Sequence, residues 1–263
     1  MTTLICPVCK KKGLETPLFC EGKSLYCENR HCFDISKSGA VSFTQSSGDD
    51  KDMVKARTDF LSLGAYEPFA KALTAHLTGA ETIVDAGCGE GYYSNLFAKI
   101  TGARVFGFDL SKAAIDHAAK TAKAQETNAF FAVGGIFDLP IATNSVDVVT
   151  SIFAPISDEF LRILKPGGKL IVGAAGSRHL YELKAAVYDK IYENEGRRDL
   201  PGGFDHAETE NLCYKFTCEG ENIRRLFSMT PYCYKTSKQD RAKLDSLESL
   251  IITADFDIFT YRK

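Results

Sequence analysis

Between residues 81 and 176, short apolar runs alternate with segments of helical spacing, and this alternation restricts the fold more than any other feature. "ETIVDAG" (81–87), "ARVFGFD" (103–109), "AFFAVGG" (129–135), "VDVVTSIFA" (146–154) and "GKLIVGAAG" (168–176) are strands. Their apolar residues are continuous rather than alternating, so both faces of each strand must be covered. "YYSNLFAKI" (92–100), a segment capped by Ser111 and running to about Ala124, and "SDEFLRILK" (157–165) supply helices between them. The expected fold is therefore α/β, a Rossmann-like doubly wound and mostly parallel sheet. Two helices, "MVKARTDFLSLG" and "YEPFAKALTAHL", precede it, with Gly64 separating them. After it the pattern predicts a long helix over "LYELKAAVYDKIYEN", a weaker strand near "CYKFTC", and helices at "ENIRRLF" and "KQDRAKLDSLESL". The last strand is "IITADFDIFTYR". Two strands in hairpin contact at one edge, adding an antiparallel edge strand, would complete the sheet.

The first 44 residues have a different texture. They hold five of the nine cysteines (Cys6, Cys9, Cys20, Cys27 and Cys32) and few other apolar residues, so burial alone would hardly hold them together. No apolar stretch is long enough to span a bilayer and the N-terminus lacks a signal-peptide pattern, which places the chain in the cytoplasm. In that reducing compartment clustered thiols point to metal rather than to disulfides. "CPVC" (6–9) and "CENRH" (27–31) supply three thiolates and an imidazole at zinc-ligand spacing. Cys6, Cys9, Cys27 and His31 are the expected ligands of one structural zinc, with Cys20 and Cys32 as competitors; free thiols or a redox pair are the alternative. "QSSGDDKD" (45–52) reads as a linker, giving a small zinc-binding domain at 1–44 and a large domain at 53–263. Removing the metal is then expected to unfold 1–44 and leave the rest folded. A net charge of -2 provides no global pull toward nucleic acid. Local basic clusters at 10–12, 197–198 and 224–225 are candidates, although a solvated surface explains each alone.

"VDAGCGEGYY" (84–93) joins the first strand of the sheet to a helix through three glycines. Such a turn aims backbone N–H groups and the positive helix end at a cofactor, which fits NAD or S-adenosylmethionine. The spacing Gly87-Cys88-Gly89-Glu90-Gly91 departs from the dinucleotide G-x-G-x-x-G, and the acidic Asp85 precedes it. S-adenosylmethionine carries an ammonium and a sulfonium and no pyrophosphate, so these carboxylates favour it over NAD. Asp109, at the end of the next strand, is placed to accept hydrogen bonds from both ribose hydroxyls, and Asp138 in "FDLP" could meet the adenine amino group. Cys88 reads as a small packed residue rather than a nucleophile.

With "LKPGG" (164–168), these elements resemble the class I methyltransferases in order and interval. Together with the cysteine cluster, the chain resembles the bacterial 23S rRNA (guanine-N1)-methyltransferases over essentially its full length. The resemblance is carried by "CPVC", "RHCFD", "SGDDKDMVKARTDFL", "GAYEPF", "DAGCGEGYY", "IFAP", "SRHLYELK" and "MTPY", the zinc half and "RHLYELK" being specific. It implies S-adenosylmethionine contacts at Tyr66, Gly89, Glu90 and His179. It also implies methyl transfer to N1 of a guanine in a 23S rRNA hairpin loop, a hairpin gripped by the zinc segment and a basic patch, and a homodimer. Phe153, in the loop after the fourth strand, is a candidate to stack on the base, with core packing as its plain alternative, and Pro155 would stiffen that turn. Thr58 stands where relatives often carry a second Arg, which removes one implied phosphate contact. No residue is identified as the base that takes the N1 proton. Two rival readings are a methyltransferase acting on a small molecule or protein, and a non-enzymatic zinc-dependent RNA-binding protein.

Overall fold

The computed structural model describes residues 3–263 apart from 46, 192, 196–201 and 231, and describes 207 by its backbone alone. Strands β1 (Phe19–Glu21), β2 (Ser24–Tyr26) and β3 (Cys32–Asp34) form a small antiparallel sheet. A second sheet has eight strands: β4 (Val41–Ser42), β5 (Thr82–Ala86), β6 (Arg104–Asp109), β7 (Ala129–Val133), β8 (Val146–Ile152), β9 (Leu164–Ala175), β10 (Asp205–Glu219) and β11 (Ser249–Arg262). Their order is β10-β11-β9-β8-β5-β6-β7-β4. Neighbours from β4 to β9 are parallel, and β11 is antiparallel to both β9 and β10. The β10–β11 hairpin thus closes one edge as expected, with the antiparallel strand one place in from that edge.

The strand order turns back at β5, which lies between β6 and β8. The helices leaving β5 and β8 pack in separate apolar clusters, and in an open α/β sheet the crevice that takes a ligand lies at such a switch point, outside the carboxyl ends of the strands. Local chemistry fixes the helices that frame it. Asp50 caps the helix Lys51–Leu61 by accepting from Met53 N, so this helix begins inside the stretch read as a linker. Ser111 caps Lys112–Gln125 by accepting from Ala114 N, as its sequence position predicts. One apolar cluster gathers the helices Lys51–Leu61, Glu67–Ala75 and Tyr92–Thr101 against the sheet, around Phe60, Phe69, Phe97 and Phe256. Full burial of each such ring contributes roughly 1.5–3 kcal/mol.

The zinc segment has no separate core. Leu4, Leu18, Leu25 and Val41 belong to one apolar cluster with Phe106, Phe108, Leu139 and Phe160 of the large sheet and its helices. Ile5 N donates to Pro140 O at 3.0 Å, and Val41 and Ser42 pair in parallel with Ala132 and Val133.

Two expected helices are shorter than their periodicity implies. Among its described residues the segment 180–194 is helical over Tyr181–Val187 alone; Tyr188 turns extended, and its hydroxyl bonds Thr236. The segment 238–250 is α-helical over Lys238–Ala242 and tightens to a 3-10 turn at Lys243–Ser246. It stops because Glu248 O accepts from Gly220 N and the chain enters β11 at Ser249. Among the described residues, no helix is long and apolar enough to cross a membrane.

Candidate functional site

The crevice floor is the turn after β5. Gly87 and Gly91 have φ of 80° and 79°, in the left-handed region where a side chain is strained. A Cβ on Gly87 would lie 2.7 Å from Ala154 Cβ, and one on Gly91 would lie 2.6 Å from Ala118 Cβ. These two glycines let the turn pack against the loop after β8 and the helix after β6. Gly89 N donates to Asp109 Oδ2 at 3.0 Å and Ser111 N to Asp109 Oδ1 at 2.8 Å. Each carboxylate oxygen keeps a further lone pair. Burial raises the Asp109 pKa, although those two amides oppose the rise.

Asp85 lies below this layer. Its two oxygens accept from Thr150 Oγ1 (2.7 Å) and from Ser94 Oγ, and burial raises its pKa from 3.8 to about 6. It braces β5 against β8 and the first turn of the Tyr92–Thr101 helix. Glu90, 5% exposed, faces Arg57, whose Nη1 is 3.5 Å from Glu90 Oε2 and 2.7 Å from Asp49 Oδ2. Burial raises the Glu90 pKa against the pull of that guanidinium. Arg57 thus draws the helix Lys51–Leu61 over the glycine turn.

On the other side of the crevice, Tyr66 Oη is 3.2 Å from His179 Nε2. His179 Nδ1 accepts from Asp255 N at 3.3 Å. Burial lowers the His179 pKa to about 4, the charge of Asp255 opposing it, so the imidazole is neutral. With Nδ1 accepting, the proton sits on Nε2, and Tyr66 Oη accepts it. Phe153 stands beside this pair, its ring centroid 6.2 Å from His179 and 5.8 Å from Phe69. It is 50% exposed and has φ of 55°, a backbone strain for a bulky residue that functional sites retain.

Tyr66, Asp85, Gly87, Gly89, Glu90, Asp109 and His179 therefore line or brace one crevice. Asp138 lies on the loop after β7, its Oδ1 held by Lys10 Nζ at 2.5 Å. Thr58 turns its hydroxyl back onto Val54 O. Lys10 is spent on Asp138 and Glu159, leaving Lys11 and Lys12 exposed; Arg224 pairs with Asp245 and Arg225 with Glu221; 197–198 lie outside the described residues. Sequence reasoning missed Arg57 and Tyr93. Arg57 lies thirty or more positions from the glycines, and no spacing rule links them. Tyr93 comes two positions after Gly91, but nothing in the sequence shows that its hydroxyl is left unpaired.

The crevice fits S-adenosylmethionine on its own chemistry. It offers carboxylates to a cation, lone pairs to a ribose, and a turn stripped of side chains. Tyr93 Oη adds a fully covered hydroxyl with no hydrogen-bond partner, the one such side-chain atom among the described residues.

The predicted metal ligands converge as well. The ligand atoms of Cys6, Cys9, Cys27 and His31 all lie within 4.8 Å of one another. His31 Nδ1 is 3.4, 3.4 and 3.3 Å from the sulfurs of Cys6, Cys9 and Cys27, and Cys9 and Cys27 sulfurs are 3.9 Å apart. A tetrahedral zinc requires ligand separations of roughly 3.5–3.8 Å. Four protein ligands close the site, which makes it structural. Asn29 Nδ2 donates to Cys9 Sγ at 3.2 Å, and the competitors Cys20 and Cys32 are exposed, outside this group.

Known proteins match both halves. A zinc-ribbon family described as "RlmA, N-terminal" matches residues 4–43, and a methyltransferase domain family matches 83–168. A putative 23S rRNA (guanine-N1)-methyltransferase of Bacillus subtilis is 30% identical, covering 96% of this chain and 94% of its own length. The 23S rRNA (guanine(748)-N1)-methyltransferase of Streptomyces fradiae is 29% identical, over 91% of this chain and 89% of its own. A solved structure from echinomycin biosynthesis, which converts a disulfide bond into a thioacetal group, is 19% identical with a TM-score of 0.50, covering 74% of this chain and 81% of its own. That last likeness concerns the fold alone.

Proposed function

This chain belongs to the RlmA-type family of 23S rRNA (guanine-N1)-methyltransferases and is an S-adenosylmethionine-dependent methyltransferase with a Cys3His zinc site, and from that premise we propose that it methylates N1 of an unpaired guanine in a 23S rRNA hairpin. The observation that carries the reading is Phe153. An exposed aromatic ring is held in a strained backbone conformation one residue from Ala154, which abuts the glycine turn. A base stacked on that ring sits beside the crevice, and stacking on aromatic rings is how splayed-out RNA bases are held. A guanine inside a helix would first have to be extracted, so a loop base is the cheaper substrate.

When bound, the cofactor supplies an electrophilic methyl group on a positively charged sulfur. The chain's own residues position and desolvate the reactants. Asp109 would hold the ribose hydroxyls, and Glu90, paired with Arg57, braces the glycine turn; Tyr66 and His179 wall the opposite side. His179 has both ring nitrogens engaged and is kept neutral, so it would add no positive charge to a site holding a sulfonium. Lys11 and Lys12 of the exposed zinc-segment surface, close to the loop that carries Asp138, supply charge for the RNA backbone.

Incubating the protein with labelled S-adenosylmethionine and 23S rRNA, then digesting the RNA to nucleosides, tests the reading. The expected product is N1-methylguanosine at one loop position. Label on another nucleoside, or only on a small molecule or protein, contradicts it. Phe153→Ala should leave cofactor affinity unchanged and weaken RNA use by about tenfold to a hundredfold, the worth of a lost stack.

A further inference from the structure

Tyr93 is the second residue of the helix Tyr92–Thr101, in its first turn after the glycines. Its ring packs edge-on against Phe69 (5.9 Å between centroids) and beside Phe97, and Phe69 stacks on Phe256 at 4.0 Å. Tyr66 packs on the same Phe256 at 5.0 Å, so the two tyrosines flank one aromatic pair. Tyr93 Oη is covered and unpartnered, an arrangement that costs stability when nothing accepts its proton. Burial, with Tyr66, Tyr92 and Glu90 nearby, holds this phenol well above its usual range, so it remains a donor at neutral pH. Tyr66 is a second unspent donor. Because His179 Nε2–H donates to Tyr66 Oη, the hydroxyl proton of Tyr66 has no acceptor among its hydrogen bonds. The first-turn N–H groups of the Tyr92–Thr101 helix likewise have no partner within their own helix.

Two covered phenol donors, one of them in the first turn of a helix, suit an anion. S-adenosylmethionine has one, the carboxylate of its amino-acid end. We propose that Tyr93, together with Tyr66, holds that carboxylate and so fixes the cofactor along the crevice. Tyr93 is a cofactor-binding residue in this account; it takes no part in the transfer itself. The inference rests on the placement of the cofactor above Gly87–Gly91.

The test is calorimetry on the zinc-loaded full chain and its Tyr93→Phe variant, with S-adenosylmethionine and its decarboxylated analogue as probes. Wild type should bind the complete cofactor more tightly than the analogue. The variant should lose about tenfold in affinity for the complete cofactor and change little toward the analogue, as expected for one hydrogen bond to a charged group. Without ligand, the variant should unfold at the same or a higher denaturant concentration, because it deletes an unsatisfied buried hydroxyl. Equal weakening toward both probes, no weakening toward either, or a less stable ligand-free variant would each overturn the assignment. If wild type binds neither probe, the cofactor placement fails first.

Discussion

Asp85 concentrates the conflict between folding and binding at the scale of single residues. It is fully buried, accepts from Ser94 and Thr150, and holds its proton up to about pH 6. Between about pH 4 and pH 6 the folded protein keeps a proton that the unfolded chain has lost, so stability falls as pH rises through that window. Asp85→Asn removes the charge and preserves the shape. Relative to wild type, the variant should gain about 3 kcal/mol on going from pH 4 to pH 7, read from urea unfolding at each pH. A constant difference across that range contradicts the burial argument. His179, lowered to about 4, acts in the opposite direction: the unfolded chain takes up its proton first, and stability falls as pH drops below about 6.5. Comparing variant with wild type cancels this second effect and isolates Asp85.

At the scale of elements, an ion-pair network reinforces the apolar and strand-edge join between the zinc segment and the sheet. Lys10 Nζ reaches Asp138 and, at 2.7 Å, Glu159 Oε2; Glu159 also accepts from Arg162 and from Leu139 N. Lys10→Met keeps the aliphatic stem and deletes both ion pairs. Because Asp138 is half exposed, the loss should be modest, about 1 kcal/mol in urea unfolding. A loss several times larger would mean that the network carries more of the joint than β4 does. This joint also marks where the sequence ceased to be informative. The parallel strands, the Ser111 cap and the β10–β11 hairpin were legible because each leaves a local pattern. The two residues of β4 leave none: Val41 and Ser42 are too few to show a period, and their partners in β7 are just over ninety positions away. The helix expected to run to 194 stops at Val187 because Tyr188 anchors to Thr236, a tertiary contact that overrides periodicity. Within the site, the glycine turn, Asp109 and the four zinc ligands were legible from spacing, and Tyr66 and His179 only from family resemblance. Arg57 needed coordinates because a long-range ion pair has no sequence signature.

At the scale of the whole molecule, the zinc segment and the sheet share an apolar cluster and a strand edge. Sequence alone led to the expectation that chelation unfolds 1–44 and spares the rest. With β4 laid against β7 and Leu4 bridged to Ile141, losing the metal should also loosen the β7 edge and lower the unfolding midpoint of the whole chain. An unchanged midpoint after chelation would contradict that coupling. A separate groove of about 820 Å³, lined by Lys23, Lys37, Lys123 and Phe130, opens between the zinc segment and the far end of the helix Lys112–Gln125. None of residues 85–93 lines it, although Phe131 in its wall also packs under Gly91, so the central claim, that the crevice at the strand ends holds the cofactor, has a physical competitor. Hydrogen–deuterium exchange with and without S-adenosylmethionine decides between them most directly. The account predicts slowed exchange at residues 85–93, 107–111 and 176–180, with the groove unaffected. Protection at 122–131 and 35–39, with the glycine turn exchanging as before, would contradict it.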